Sequence, residues 1–370
     1  MKLAFIIDKT QTFQAVAGAL YEALARGHEC SLFCNFSVND LGVILNASPK
    51  ITDFPNLKWI QHPDKGWLVQ NLASGRKEYD AVIGINLFNK GWKSLYENDH
   101  LKNYSLEYCW NEIYNQINPF NSKTVLLCNT DTSKQIIEDL SSYSFLESHG
   151  SPWLEFLSRF SQDGSENRRI TFLAPHNSLY IRHDSLGKSV ESILTRLRSW
   201  CDENRFELIL KSRAKYSRNF KDSVRFDRVV SDSDASSHIA LYSSSSAVIH
   251  FCSSAINELS FLETPYLALA PDFQKQLHPD RIHHPGIQRI HQTYYSGDIF
   301  DGIHCDGLSS NEMDSVLITK KLEELLRSKK DWKSFQQSHF PGKHQGASSR
   351  IMDRIEEDHV KLKQSSSNNK

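Results

Sequence analysis

The first thirty-four residues constrain the fold most. Leu3 to Ile7 is a short, unbroken apolar run, the pattern of a strand buried on both faces. Asp8-Lys9-Thr10-Gln11 breaks the run, and Phe13, Val16, Ala17, Leu20 and Leu24 then recur at helical spacing. Gly27-His28 supplies a helix stop, and Cys30 to Cys34 reads as a second buried strand. Strand, crossover helix, strand is the unit from which parallel sheets are built, with right-handed crossovers.

The rhythm continues along the 370 residues. Leu57–Ile60, Tyr79–Gly84 and Thr124–Cys128 read as strands, Ser133–Leu140 as a helix and Trp153–Phe160 as a short helix. The stretch from Asn89 to Asn121 is aromatic and polar and gives no ordered pattern. Ser161 to Asn167 is the most linker-like segment, and the domain boundary is expected there. Beyond it, Ile170–Ala174, Phe206–Leu210, Val224–Val230, Ala247–Phe251 and Pro265–Leu269 read as strands. Val190, Ile193, Leu194, Leu197 and Trp200 lie on one helical face between the first two. Ile318, Leu322 and Leu325 mark a late helix, and Ile351, Ile355 and Leu362 a final one. The expected fold class is therefore α/β, with two Rossmann-like domains. Residues 1–160 form the first, residues 168–338 the second, residues 339–363 a last helix, and residues 364–370 a disordered tail.

Composition excludes several functions. Lys and Arg number 43 against 44 Asp and Glu, so no global positive field gathers nucleic acid. No apolar run approaches the roughly 18 residues of a membrane span. The apolar stretch at the N-terminus is too short for a signal peptide, so a cytoplasmic location is expected, compatible with peripheral membrane association. Seven cysteines without a Cys-x-x-Cys pair point to reduced core thiols. The group His278, His283, His284 and His291 lacks ligand spacing, and no metal site is expected.

In open α/β sheets, ligands bind beyond the carboxyl ends of the strands, and two such crevices can share one inter-domain cleft. Residues just after strands are therefore the candidates. In the second domain, Ala247-Val-Ile-His-Phe-Cys runs into Ser253-Ser254 at a helix start, where amides, hydroxyls and the helix dipole suit a phosphate. Glu258, one turn on, suits ribose or sugar hydroxyls. Lys211-Ser212-Arg213 follows another strand and can grip a phosphate. His176, in Ala174-Pro175-His176, lies at the first strand-to-loop junction of the second domain; in the fold resembled below that loop faces the diphosphate, which would let His176 donate to a phosphate or leaving group. In the first domain Asp8 occupies the first strand-to-helix loop; in the fold resembled below that loop faces the acceptor, and the resemblance makes Asp8 the first candidate base, with His62, Glu107 and Glu112 as alternatives. The first strand-to-helix loop lacks Gly-x-Gly-x-x-Gly, which argues against a nicotinamide site.

The segment from about residue 224 to 270 resembles the nucleotide-sugar half of GT-B-fold glycosyltransferases. The resemblance lies in the strand ending before Ser253-Ser254, the following Glu258, and the turn Leu262-Glu263-Thr264-Pro265 before the next strand. More narrowly, it is similar to the nucleotide-binding halves of the UDP-GlcNAc 2-epimerase and CDP-glycerol glycerophosphotransferase groups. Thr264-Pro265 stands where Gly-Pro is commoner, and Ser253-Ser254 where Gly-Gly or Ser-Gly is commoner. The segment Phe340 to Ile351 is similar to the one that opens the final helix of the glycerophosphotransferase group. In GT-B enzymes that helix returns to the first domain. The resemblance implies a metal-independent sugar transferase with no cofactor beyond its nucleotide-sugar substrate. It would act on a glycan or other hydroxyl acceptor, in glycan or cell-surface polysaccharide synthesis. An epimerase of the same fold and a non-catalytic GT-B-like binder are the alternatives.

Overall fold

The computed structural model describes residues 1–7, 10–35, 51–75, 78–87, 102–107, 124–141, 145–157, 168–174, 184–212, 222, 224–230, 235–251, 253, 255–271, 303–305, 315–340 and 342–368. Two compact units divide the chain: Met1–Phe160 with Phe340–Lys370, and Ser161–His339.

In the first unit the described strands are β1 (Lys2–Ile7), β2 (Glu29–Cys34), β3 (Leu57–Gln61), β4 (Ala81–Ile85), β5 (Lys102–Leu106), β6 (Val125–Cys128) and β7 (Leu146–Ser148). They form one sheet in the order β3-β2-β1-β4-β5-β6-β7, parallel at every pairing. The α-helices described in the first stretch of chain are α1 (Thr10–Ala25), α2 (Lys65–Ser74), α3 (Asp131–Leu140) and α4 (Pro152–Leu157). The apolar stripe of α1, Phe13, Val16, Ala17, Leu20 and Leu24, is wholly buried. α1 ends in a Schellman motif. Gly27 takes φ +79°, its amide reaches Leu24 O, and the His28 amide reaches Ala23 O. On the other face of the sheet, Leu68, Val69 and Leu72 of α2 pack on Ala4, Ile6, Phe33 and Val82.

The second unit repeats the plan. Strands β8 (Arg169–Leu173), β9 (Glu207–Lys211), β10 (Arg228–Val230), β11 (Ala247–Phe251), β12 (Tyr266–Pro271) and β13 (Ile303–Cys305) pair in the order β10-β9-β8-β11-β12-β13, again all parallel. The helices described are α5 (Asp184–Asn204), α6 (Ala235–Ser243), α7 (Ala255–Phe261), α8 (Ser315–Arg327) and α9 (Trp332–His339). Val190, Ile193, Leu194, Leu197 and Trp200 of α5 share one core with Ile318 and Leu322 of α8 and the inward residues of the sheet.

The last helix, α10 (Ala347–Asn368), packs against the first unit, as expected from the resemblance. Glu155 of α4 caps its start, accepting from the Gly346 and Ser348 amides and the Ser348 hydroxyl. Ala347, Ile351, Met352 and Ile355 are buried to 1% or less. Each fully buried Ile or Met contributes roughly 1.5–3 kcal/mol. Helix α1 comes so close that a Cβ on Gly18 would lie 2.6 Å from both Pro152 O and Ser348 Oγ. The helix continues to Asn368, through residues 364–368 of the stretch expected to be disordered, and Ser365 and Ser367 bond back to the Lys361 and Lys363 carbonyls.

Candidate functional site

Both sheets change direction of winding once. In the first, β2 and β3 extend to one side of β1 and β4–β7 to the other; in the second, β9 and β10 lie on one side of β8 and β11–β13 on the other. The carboxyl ends of β1 and β4, and of β8 and β11, therefore flank the points where adjacent crossovers diverge and leave a crevice.

In the second unit three of the sequence candidates, Lys211, Ser253 and Glu258, lie at this edge of the sheet. Lys211 is the last residue of β9 and is buried, and its carbonyl accepts from the Ala174 amide just after β8. Ser253 follows β11 and is buried, and half-buried Glu258 lies in the first turn of α7. β9, β8 and β11 are consecutive in the sheet, so the Lys211 and Ser253 strand ends stand roughly 10 Å apart at ordinary strand spacing. His176, Arg213 and Ser254 lie outside the described residues, as does Asp8 in the first unit.

The turn at Ser253 departs from the sequence reading in one respect. Its amide donates to His250 Nδ1 at 3.2 Å, so this N–H serves the protein and not an anion. The Ser253 hydroxyl accepts from the Ala255 amide at 3.3 Å and the Ser253 carbonyl from the Ile256 amide at 3.2 Å. An imidazole whose Nδ1 accepts an amide proton carries its own hydrogen on Nε2 and is neutral. His250 is fully buried on β11, its ring centroid 5.6 Å from that of Tyr266. His250 is not among the candidates above; a histidine inside the apolar run Val248-Ile249-His250-Phe251 is the one sequence signal for it.

In the first unit, Asn86 directly follows β4 with φ +54°, a left-handed conformation that Asn tolerates. Glu107 follows β5 and is 1% exposed. It accepts from the Asn129 amide at 2.7 Å and from the Ser133 hydroxyl at 3.0 Å, which ties the end of β5 to the β6–α3 turn. Burial pushes its carboxyl up to about 7, against the lowering effect of those two donors. His62 sits instead at the end of edge strand β3, stacked on Trp67 at 4.2 Å. Glu112 lies outside the described residues.

Among the described residues no group of three His, Cys, Asp or Glu side chains is placed to hold a metal ion, and no helix is long and apolar enough to cross a membrane. His278, His283, His284 and His291 lie outside them.

The architecture is the GT-B fold. The chain is similar to the UDP-GlcNAc 2-epimerase of Methanocaldococcus jannaschii, with TM-score 0.60, 10% identity, and coverage of 95% of this chain and 99% of that one. It is similar to a glycosyltransferase from Rickettsia africae, with TM-score 0.55, 11% identity, and coverage of 97% and 98%. It is also similar to the wall teichoic acid polymerase TagF, with TM-score 0.60, 12% identity, and coverage of 98% and 89%. The archaeal epimerase has been solved with UDP-GlcNAc and UDP. No protein-family model matches the chain, and no curated protein matches it in sequence. Solved structures with this fold thus include both a glycosyltransferase and UDP-GlcNAc 2-epimerases.

Proposed function

We propose that the protein is a glycosyltransferase that moves a sugar from a nucleotide-sugar donor to an acceptor hydroxyl, in glycan or polysaccharide synthesis. One observation carries this reading: Lys211, Ser253 and Glu258 lie at the carboxyl edge of the second sheet, beside its change of winding.

In this proposal the donor diphosphate is received by Lys211 and Arg213 and by the Ser253 and Ser254 hydroxyls. Glu258 accepts from hydroxyls of the ribose or sugar. The bond between the anomeric carbon and the diphosphate oxygen breaks, and its electron pair leaves with the nucleoside diphosphate. The cationic groups and hydroxyls stabilise that charge, with His176 donating to the leaving oxygen. The acceptor hydroxyl bonds to the anomeric carbon and gives its proton to Asp8. Nucleotide sugar and acceptor are the only partners required, and the work is cytoplasmic.

A second reading keeps the donor site and changes the reaction. The fold is equally that of an epimerase, which eliminates UDP from one sugar and adds it back. Incubation with UDP-, GDP-, CDP- and CMP-sugars separates the readings. Acceptor-dependent nucleotide release supports transfer, conversion of the sugar without acceptor supports epimerisation, and binding without turnover supports a non-catalytic binder. Glu258→Ala should weaken donor binding about tenfold while the fold survives. Unchanged affinity by calorimetry would remove Glu258 from the site.

A further inference from the structure

The Ser253 turn depends on a group that no ligand needs to touch. His250 is fully buried, three residues before Ser253, and it receives the Ser253 amide on Nδ1 at 3.2 Å. The same serine receives the Ala255 amide on its hydroxyl and the Ile256 amide on its carbonyl. Three hydrogen bonds thus fix the path from β11 into α7, and one of them comes from the strand itself. Tyr266 of the neighbouring strand packs against the imidazole, and Phe335 and Trp332 of α9 pack against Tyr266 in turn. The ring is held from the side, so its Nδ1 can act as a fixed acceptor.

We infer that His250 is a positioning residue: its neutral imidazole holds the Ser253 amide and thereby sets the strand-to-helix turn that presents the serine hydroxyl and Glu258 to a nucleoside diphosphate. The ligand part of this inference rests on the donor-site reading above. The hydrogen bond itself does not. The inference also sets a chemical requirement on position 250: the side chain must present an acceptor where Nδ1 stands. Asn meets that requirement, because its Oδ1 occupies nearly the same place relative to the backbone, and Leu does not.

Two measurements on the full chain test it. Histidine-selective nitrogen-15 labelling, with the His250 signal assigned from the His250→Asn spectrum, should show an unprotonated Nδ1 and a protonated Nε2. A ring protonated on Nδ1 at neutral pH would overturn the inference, and this measurement needs no ligand. UDP titration then compares three proteins. His250→Leu should bind about tenfold more weakly than wild type, and His250→Asn within about threefold of it. Equal loss in both variants, tracking a common loss of melting temperature, would leave His250 as core filling only and sink the positioning role. If wild type itself takes up no UDP, GDP, CDP or CMP, the donor-site reading fails and the ligand part of the inference fails with it. The tautomer and the exchange protection of the Ser253 amide then decide the turn-setting part separately.

Discussion

A carboxyl group with 1% exposure is costly to ionise, and Glu107 shows the consequence. Its ordinary value of 4.5 rises to about 7 because burial outweighs the Asn129 amide and the Ser133 hydroxyl. The folded chain therefore holds this proton more tightly than the unfolded chain. The associated stability is present in full below the unfolded value and is lost as pH rises through about 7. The effect is at most roughly 3 kcal/mol. Glu107→Gln should flatten the fall in stability over that range, measured by urea unfolding at several pH values; an unchanged slope would place the titrating group elsewhere. The residue was legible in sequence only as an acid of unknown position, because its two donors come from a later strand-to-helix turn. Lys211 and Glu258 were easier, since each directly follows a recognisable strand or opens a recognisable helix. His250 was hidden by the apolar residues around it, although burial among them is what makes its hydrogen bond specific.

At the level of elements, legibility followed the number of local apolar residues. β1, β2, β6, β8, β9 and β11 read clearly because their runs are continuous. β5 did not, because Lys102-Asn103-Tyr104-Ser105-Leu106 alternates polar groups that are satisfied far away in sequence. Ser105 Oγ accepts from the Leu87 amide, and the Tyr104 hydroxyl donates to Asp358 of α10 at 2.8 Å. The short strands β7 and β13 and the helices α2 and α9 were also missed, each too brief or too polar for periodicity to show. Asp358 joins α10 to the sheet: Lys102 Nζ lies 2.7 Å from it, and Arg354 pairs with it from one turn earlier. Burial pushes its carboxyl up, but Lys102, Arg354 and Tyr104 together hold it below the usual range. Asp358→Ala strands a buried phenol and weakens the hold on two cations, so it should cost about 3–5 kcal/mol. Chemical denaturation measures this directly, and a loss below about 1 kcal/mol would show that α10 docks through its apolar face alone.

For the whole molecule, the repeated sheet order is the main fact. Two doubly wound sheets with the same reversal, and a final helix packed on the first unit, make the GT-B architecture. The βα rhythm and the linker-like stretch before residue 168 made two Rossmann-like domains expected from sequence. The strand order was not legible, since order depends on which crossovers go to which side. That order is what puts the ends of β8 and β11 side by side. The most direct measurement is hydrogen–deuterium exchange of the full chain with and without saturating UDP, GDP, CDP or CMP. The expected result, with at least one nucleotide, is slowed exchange in the segments 171–176, 208–213 and 250–258. Binding that slows exchange only in the first unit, or no binding by any of the four, would contradict a nucleotide site at the second sheet.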